Sequence, residues 1–364
     1  MQDKAKSYSN IRYGLNIAGL VYAFVLLFLF LKLGISGRIA LVLGDRLLDS
    51  LVLPVYLIII FVLYFLLNFP LSFYQSYTLE HKFLLSRQRV NDWWKDQFKS
   101  GAISYIISLL LFSVFYIILD HFPYGWWLVI SLFWIFFSVL LAKVMPVVII
   151  PVFFKYKRLA DEVLRERILL LAKRMDVKLI DCFEIDFSKK TLKANAAFVG
   201  VGNTRRVILA DTLKDKYTHD EIEVILAHEF AHYKLRHLIK LIMLNSFVTL
   251  AVFYLIFNTN AYALSFFGLP GLSDIAALPL IFIYFLVFSI ITRPLEAFVS
   301  RSFERSADLM ALEATRLKEA FVSTMNKLAS QNLADRNPHP IIKFFFFDHP
   351  PIDERIKSAE SVSF

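Results

Sequence analysis

Cysteine is almost absent from this chain: Cys182 is the only one in 364 residues. A single thiol excludes an intrachain disulfide, and it also excludes a zinc site built from several thiolates. Any metal that the protein binds must therefore be held by histidine and carboxylate side chains.

Charged residues are also scarce, at 20% of the sequence, whereas hydrophobic residues make up 57%. Soluble domains contain about 45–50% apolar and about 25% charged residues. This balance argues against an ordinary soluble enzyme. The 37 Phe and 16 Tyr, set against only 11 Gly and 12 Pro, argue equally against a disordered or fibrous chain, because they provide ample apolar surface to bury.

Six long runs carry almost no charge, and a helix needs about 20 apolar residues to cross a bilayer. The runs are 13–31, 50–79, 100–119, 126–154 with Lys143 inside it, one that begins at Leu241, and 275–292. A buried helix of a soluble protein would carry charged residues on one face. The sequence therefore predicts about six transmembrane helices. The first run is longer than a signal-peptide core and no small-residue cleavage site follows it, so we expect it to remain as an anchor.

Lysine and arginine are distributed unevenly around these runs. With six spans, the segments 1–12, 75–101, 155–240 and 293–364 fall on one side of the membrane, and they hold 36 of the 40 basic residues. Basic loops face the cytoplasm. We therefore expect both termini on the cytoplasmic side. The net charge of +9 is explained by topology and anionic lipid headgroups, so no nucleic-acid partner is predicted.

The chain divides into four regions on this basis. The N-terminal membrane region 1–154 carries four helices and a cytoplasmic loop at 75–101, and region 241–298 carries the fifth and sixth helices. The polar segments are 155–240 and 299–364. The first of these is predicted to form a helix at 159–175, short strands around 179–187, 194–199 and 206–210, and a second helix; the last 66 residues are predicted to be mostly helical.

One motif with metal chemistry lies in the first polar segment. Thr218 and Glu221 have the spacing of a capping box and open a helix that contains His228, Glu229 and His232 in the pattern HExxH. Two histidines four residues apart lie one turn above each other, which suits two imidazoles on one zinc ion. Glu229 is then placed to take a proton from a zinc-activated water.

A catalytic zinc takes three protein ligands, so a third is required. The choice is between a histidine further along the motif and a carboxylate from another helix. His237 is five residues after His232 and would face another side, so we interpret it as a basic helix-end residue near the headgroups. Glu304 is the better candidate, and Asp308 at i+4 can accept the free N–H of a ligating histidine.

Topology supports Glu304 independently of the motif. His232 precedes the start of the fifth span at Leu241 by nine residues, about 14 Å along a helix. Glu304 follows the end of the sixth span near Arg293 by eleven residues, about 17 Å, on the same side. Both side chains are therefore expected at similar depth below neighbouring membrane helices.

The sequence resembles a known family, the integral-membrane zinc metalloproteases of the type I CAAX prenyl endopeptidase group, related more distantly to the HtpX-type proteases. Five ordered segments carry the resemblance: 70–91, 195–198 with 206–213, the extended HExxH helix 228–237, the third-ligand segment 303–308, and the HPP segment 349–355. The resemblance covers most of the chain. It implies a mainly α fold, in which a polytopic membrane region accompanies a cytoplasmic α+β, gluzincin-like metalloprotease domain assembled from two segments.

The resemblance also implies roles that spacing does not. Asn195 would stand on an edge strand that pairs with an extended substrate backbone. His349 would stabilise the oxyanion of the tetrahedral intermediate. From the residues alone, Asn195 would be a turn residue and His349 a surface histidine before two prolines.

The leading interpretation is a membrane-embedded endopeptidase with one Zn²⁺ per chain. His228, His232 and Glu304 hold the metal, and Glu229 is the general base. The expected partners are the lipid bilayer and a peptide or protein substrate, either a CAAX-type prenyl peptide or a membrane protein under quality control. The expected location is the bacterial inner membrane, with the active site on the cytoplasmic side. The alternative is a non-proteolytic transporter or chaperone with structural histidines. Transporters place charged residues near the bilayer midplane, however, and such residues are scarce in the spans of this chain.

Overall fold

The structure is a computed structural model, and it describes residues 2–199 and 205–363. Within these ranges the chain forms fifteen α-helices and one four-stranded sheet. The prediction of a mainly α protein with a small α+β portion is confirmed.

Six helices in the described ranges are long and apolar enough to cross a membrane, as predicted. They are α1 (Gln2–Lys32), α3 (Asp49–Phe73), α5 (Val90–His121), α6 (Trp126–Val144), α11 (His237–Phe267) and α12 (Leu278–Thr315). The most apolar part of each helix has a mean hydropathy between 2.0 and 2.8, which is high enough for the helix to be surrounded by lipid.

Two of these helices continue beyond the regular α-helix through wider π-helical turns. After Tyr74–Thr78 the second span ends in α4 (Leu79–Lys82), and after Met145–Ile149 the fourth ends in α7 (Ile150–Phe153). Pro146 lies inside the second of these turns, where its missing N–H removes one helical hydrogen bond. The segment 75–101, predicted as a loop, is therefore helical except for residues 83–89.

A short helix, α2 (Ile35–Arg46), follows α1 after Gly34, whose φ is +66°. With 12 residues it is about 18 Å long, too short to span the bilayer. Ser36 donates to the carbonyl of Ala276 at 2.6 Å and accepts from the hydroxyl of Tyr56 at 2.6 Å. The buried hydroxyl therefore links α2 to α3 and to the start of the sixth span.

The first polar segment folds into helices and the sheet. It contains β1 (Tyr156–Arg158), α8 (Glu162–Arg174), β2 (Asp181–Ile185), β3 (Ala196–Val199), β4 (Arg206–Ala210), α9 (Asp211–Lys214) and α10 (His219–Lys234). The strand order is β1-β2-β4-β3, with β2 and β4 parallel and the other pairs antiparallel. Val207 and Leu209 of β4 are fully buried with α8 and α10, whereas Ile208 packs on the opposite face. Because successive side chains of β4 point to opposite faces, both faces of the sheet at β4 are buried. Strand β3 is an edge strand of the described sheet.

The last segment is helical beyond α12, as predicted, and contains α13 (Lys318–Gln331), α14 (Pro340–Phe346) and α15 (Ile352–Glu360). The four basic segments meet on one side of the molecule. Lys193 pairs with Glu80 at 2.8 Å, Tyr8 donates to Glu80 at 2.5 Å, and Ser9 donates to the carbonyl of Leu333 at 3.2 Å. This arrangement agrees with an even number of spans between successive basic segments.

Candidate metal centre

Helix α10 is fixed at its start and along one face. Thr218 accepts from the N–H of Glu221 at 3.3 Å, and Glu221 accepts from the N–H of Thr218 at 2.7 Å, which completes the capping box. Ile222, Leu226 and Phe230 are fully buried in the core shared with the sheet. The remaining face carries the HExxH residues.

Helix α12 packs across α10 through small residues. Ala227 and Ala231 of α10 and Ala307 and Ala311 of α12 are all fully buried in the same cluster. Small side chains let two helices approach closely. Because Glu304 belongs to the same face of α12, the close approach brings its carboxylate to the histidines.

The three predicted ligands lie together. Nε2 of His228 is 3.0 Å from Nε2 of His232 and 3.2 Å from Oε2 of Glu304, and Nε2 of His232 is 3.2 Å from Oε1 of Glu304. One ligand atom from each residue falls within 4.8 Å of the others. Glu304 is only 5% exposed, so this carboxylate faces the imidazoles rather than solvent.

The donor atoms fit a metal ion. Oε2 of Glu304 is buried without a hydrogen bond of regular geometry from any described residue. Buried polar atoms are normally satisfied, and a cation between two imidazole nitrogens and a carboxylate would satisfy this one. Two nitrogens and one oxygen leave room for a further ligand, as catalytic metal sites require.

Asp308, four residues after Glu304 on α12, stands behind His228. Its Oδ1 lies 2.9 Å from Nδ1 of His228, although the angle departs from that of a regular hydrogen bond. Arg355 donates to both carboxylate oxygens of Asp308, at 2.8 and 2.6 Å. The bidentate pair balances the buried Asp308 charge and fixes the carboxylate beside the histidine ring.

Glu229 and His349 lie at the same site. Glu229 is half-buried beside His228 on α10, and burial raises the pKa of its carboxyl above the ordinary value. His349, in the loop between α14 and α15, places Nε2 3.3 Å from Oε2 of Glu304 and Nδ1 2.9 Å from Oδ1 of Asp348. Burial alone would lower the pKa of His349, but Asp348 and Glu304 outweigh it and the pKa is raised.

Asn195 lies immediately before β3 and is exposed. Its carbonyl accepts from the N–H of Ala210 at 3.1 Å, which starts the pairing of β3 with β4. Phe198 of β3 packs against Phe230 of α10, with ring centroids 5.2 Å apart. The edge strand is thus held against the HExxH helix.

His237 stands at a helix end, as predicted, because α11 begins there, but its surroundings near the headgroups were predicted wrongly. It is 3% exposed, and its Nδ1 lies 2.9 Å from Nδ1 of His232. The reason is a break in the helix, because α10 ends at Lys234 and α11 begins at His237 after Arg236 with φ +57°. The expectation of one continuous helix from the motif into the fifth span is wrong for the same reason.

Sequence reasoning also missed Arg355 as a partner in the site. It lies in the HPP segment 349–355, but nothing in the local pattern distinguishes it from a surface arginine. Its partner is 47 residues away, and only the packing of α15 against α12 brings the two together.

Comparison with known proteins places these features in a family. Residues 158–363 match the family model of peptidase family M48, and residues 2–155 match that of the CAAX prenyl protease N-terminal region, described as having five membrane helices. In this chain five helices longer than ten residues, α1, α2, α3, α5 and α6, occupy the second region, and four of them are long enough to span.

Similar proteins agree with this match. A metalloprotease of Bacillus subtilis is 32% identical over 98% of this chain and 84% of its own length. CAAX prenyl protease 1 of Saccharomyces cerevisiae is 30% identical over 80% of this chain and 68% of its own length. The crystal structure of Ste24p from S. mikatae has the same fold, with a TM-score of 0.88 at 24% identity, covering 99% of this chain and 89% of that one. This chain belongs to peptidase family M48 and is an integral, multi-pass membrane metalloendopeptidase that acts on peptide or protein substrates.

Proposed function

We propose that the protein is a zinc-dependent endopeptidase in which His228, His232 and Glu304 hold the metal. The observation that carries the proposal is the convergence of two Nε2 atoms and one buried carboxylate oxygen within 4.8 Å. Zinc suits this donor set because it accepts nitrogen and oxygen ligands at a tetrahedral site with one open position. When bound, zinc polarises the scissile carbonyl and lowers the pKa of a water to about 7.

Glu229 is the general base in this proposal. It takes a proton from the attacking water and then, as the general acid, delivers it to the leaving amine. Its half-buried position next to His228 and its raised pKa support this role, because a carboxylate whose pKa lies closer to the working pH takes up a proton more readily and can still pass it on.

His349 and Asn195 position the scissile peptide. The Nε2 of His349 lies 3.3 Å from Glu304 and can donate to an oxyanion that develops beside the ligands. Asn195 opens edge strand β3, whose outer side is free to pair with an extended substrate within the described part of the sheet. These contacts would hold the peptide across the cluster.

The substrates we propose are CAAX-type prenyl peptides or membrane proteins under quality control. Support comes from the relatives named CAAX prenyl protease 1 and from an apolar cavity of about 670 Å³ between α6, α11, α12 and the Phe345–Phe346 pair. Trp134, Phe253, Phe285 and Arg293 are among the residues that line this cavity. A lipidated or membrane-derived segment could place its apolar part there.

The proposed location is a bacterial inner membrane, with both termini and the site on the cytoplasmic side. The support is the concentration of lysine and arginine in the four segments that meet on one side of the molecule. The bilayer is accordingly a partner of the six spans.

The experiment that tests the metal-dependent function measures zinc content and peptide hydrolysis together. Wild-type protein should hold about one equivalent of zinc, whereas His228→Ala should lose both zinc and hydrolysis. His219→Ala, which removes a half-exposed histidine from the first turn of the same helix, is the matched control and should keep both. Hydrolysis that survives complete removal of zinc by a chelator would overturn the proposal.

The substrate class is tested separately. A prenylated CAAX peptide, its unprenylated counterpart and an unfolded membrane protein are compared at equal concentration. Preferential cleavage of the prenylated peptide would favour the prenyl-processing function, and preferential cleavage of the unfolded protein would favour quality control.

A further inference from the structure

The ring of His237 lies on the side of His232 that faces away from the ligand cluster. Its Nδ1 is 2.9 Å from Nδ1 of His232, and its Nε2 is 3.3 Å from the hydroxyl of Ser306. Ser306 in turn donates to the carbonyl of Phe303 at 2.8 Å. The chain of contacts therefore runs from α10 to the turn of α12 that carries Glu304.

The protons in this chain can be assigned by counting donors. His232 directs Nε2 at His228 and Glu304, so a metal there uses the lone pair of Nε2 and leaves the proton on Nδ1. That proton can be donated to His237 only if Nδ1 of His237 is unprotonated. His237 then carries its own proton on Nε2 and donates it to Ser306, whose single hydroxyl proton is already given to the backbone. Each donor has one acceptor.

The backbone and the packing hold His237 in this position. Arg236 adopts a left-handed conformation, φ +57°, that few non-glycine residues adopt, and it turns the chain back toward His232. The His237 ring stacks on Phe303 with centroids 4.4 Å apart and planes 5° apart. Strained backbone of this kind persists where the surrounding structure determines it, and it concentrates at functional sites.

Resting on the metal-binding role proposed for His232, we propose that His237 is a positioning residue. It fixes His232 as the Nδ1–H tautomer, with Nε2 aimed at the cluster, through the chain His232 to His237 to Ser306 to the Phe303 carbonyl. His237 is not a fourth ligand, because its Nδ1 faces His232 and its Nε2 faces Ser306. The two histidines of the motif are thus supported differently, His228 by the Asp308 carboxylate and His232 by a neutral imidazole.

The test uses full-length protein and measures the zinc dissociation constant of each variant by competition with a chelator. His237→Phe keeps an aromatic ring to stack on Phe303 but removes both nitrogens. His237→Asn keeps an acceptor near the position of Nδ1, and Ser306→Ala removes only the second link. His219→Phe makes the same chemical change at a histidine outside the site and is the matched control.

Loss of this outer contact should raise the zinc dissociation constant about 10–100-fold in His237→Phe, as for other partners of metal-ligating histidines. The zinc dissociation constant of His237→Asn should fall between those of wild type and His237→Phe. That of Ser306→Ala should rise about fivefold. With Co²⁺ in place of zinc, the visible absorption bands of His237→Phe should shift, because the ligand field at His232 changes. A stabilising role of His237 apart from the metal would leave these bands unchanged.

An unchanged zinc dissociation constant and an unchanged Co²⁺ spectrum in both His237→Phe and Ser306→Ala would overturn the inference. Ser306→Ala keeps the ring and its packing, so it decides the matter if His237→Phe does not fold. If the wild-type protein binds zinc and cleaves peptide and the variants do the same equally well, this inference alone is contradicted. A wild-type protein that neither binds zinc nor cleaves peptide would contradict the proposed function as well.

Discussion

Nε2 of His232 lies 3.2 Å from Oε1 of Glu304, although the two residues are 72 positions apart and belong to different helices. The chain between them leaves the site along α11 and returns along α12. The arrangement therefore depends on the packing of a pair of membrane helices. The membrane region has a direct role in the site, because it determines where the third ligand candidate stands.

Replacing His349 tests the oxyanion donor. His349→Ala should lower kcat by about 10²–10³-fold, the usual effect of removing one such donor, and leave the zinc content unchanged. The control is His121→Ala, which removes an exposed histidine at the last residue of α5 and should leave kcat unchanged. Steady-state hydrolysis and metal analysis of the same samples measure both quantities. Full activity of His349→Ala would exclude the role.

Replacing Arg355 tests the buried pair behind His228. Arg355→Met leaves the Asp308 carboxylate buried without its partner, and breaking such a pair costs about 3–5 kcal/mol of stability. Arg336→Met breaks a pair with Asp353 whose side chains are 31% and 44% exposed, against 9% and 8% for Arg355 and Asp308. Exposed pairs contribute about 1 kcal/mol or less.

The measurement for this pair is thermal unfolding in detergent. Arg355→Met should unfold at a clearly lower temperature than Arg336→Met. Equal losses in the two variants would show that the Arg355–Asp308 pair adds nothing beyond an ordinary surface contact.

Glu221 links the start of the motif helix to acid stability. Burial raises the pKa of its carboxyl, but hydrogen bonds from Lys327 and Ser323, both 2.6 Å, outweigh burial and the pKa lies below the ordinary value. A carboxyl with a lowered pKa in the folded protein stabilises it above the unfolded pKa of about 4.3, and this stabilisation disappears as the pH falls through the folded pKa.

Glu221→Gln should therefore lower the unfolding temperature most at pH 7, and the difference from wild type should shrink as the pH falls below about 4.3. Glu313→Gln, at an exposed position of α12, makes the same change and should have little effect at either pH. Unfolding temperatures recorded across this pH range decide the matter. A difference for Glu221→Gln that stays constant with pH would contradict the ionic role.

The membrane helices and the HExxH helix could be predicted from the sequence, because each depends on local pattern. A charge-free run predicts a membrane span from composition alone. The spacing of His228 and His232 predicts that they share one face of a helix. Glu304 was predicted from its spacing beyond the sixth span, and α12 runs as one helix through that span to Glu304. These features need no knowledge of distant contacts.

His237 and Arg355 show where the pattern was insufficient. The position of His237 depends on the left-handed backbone at Arg236, and arginine gives no signal for that conformation as glycine would. The role of Arg355 depends on a contact with Asp308 across 47 residues. Helix α2 was also not predicted, since its 12 residues carry charges and are too few for a span.

The measurement that tests the account most directly is the zinc content and hydrolysis of Glu229→Gln. This change removes the proposed base and keeps all three proposed ligands, so zinc should remain at about one equivalent while hydrolysis falls by at least about 10²-fold. Glu166→Gln, at an exposed position of α8, is the matched control and should keep both. Hydrolysis at the wild-type rate by Glu229→Gln would contradict the mechanism.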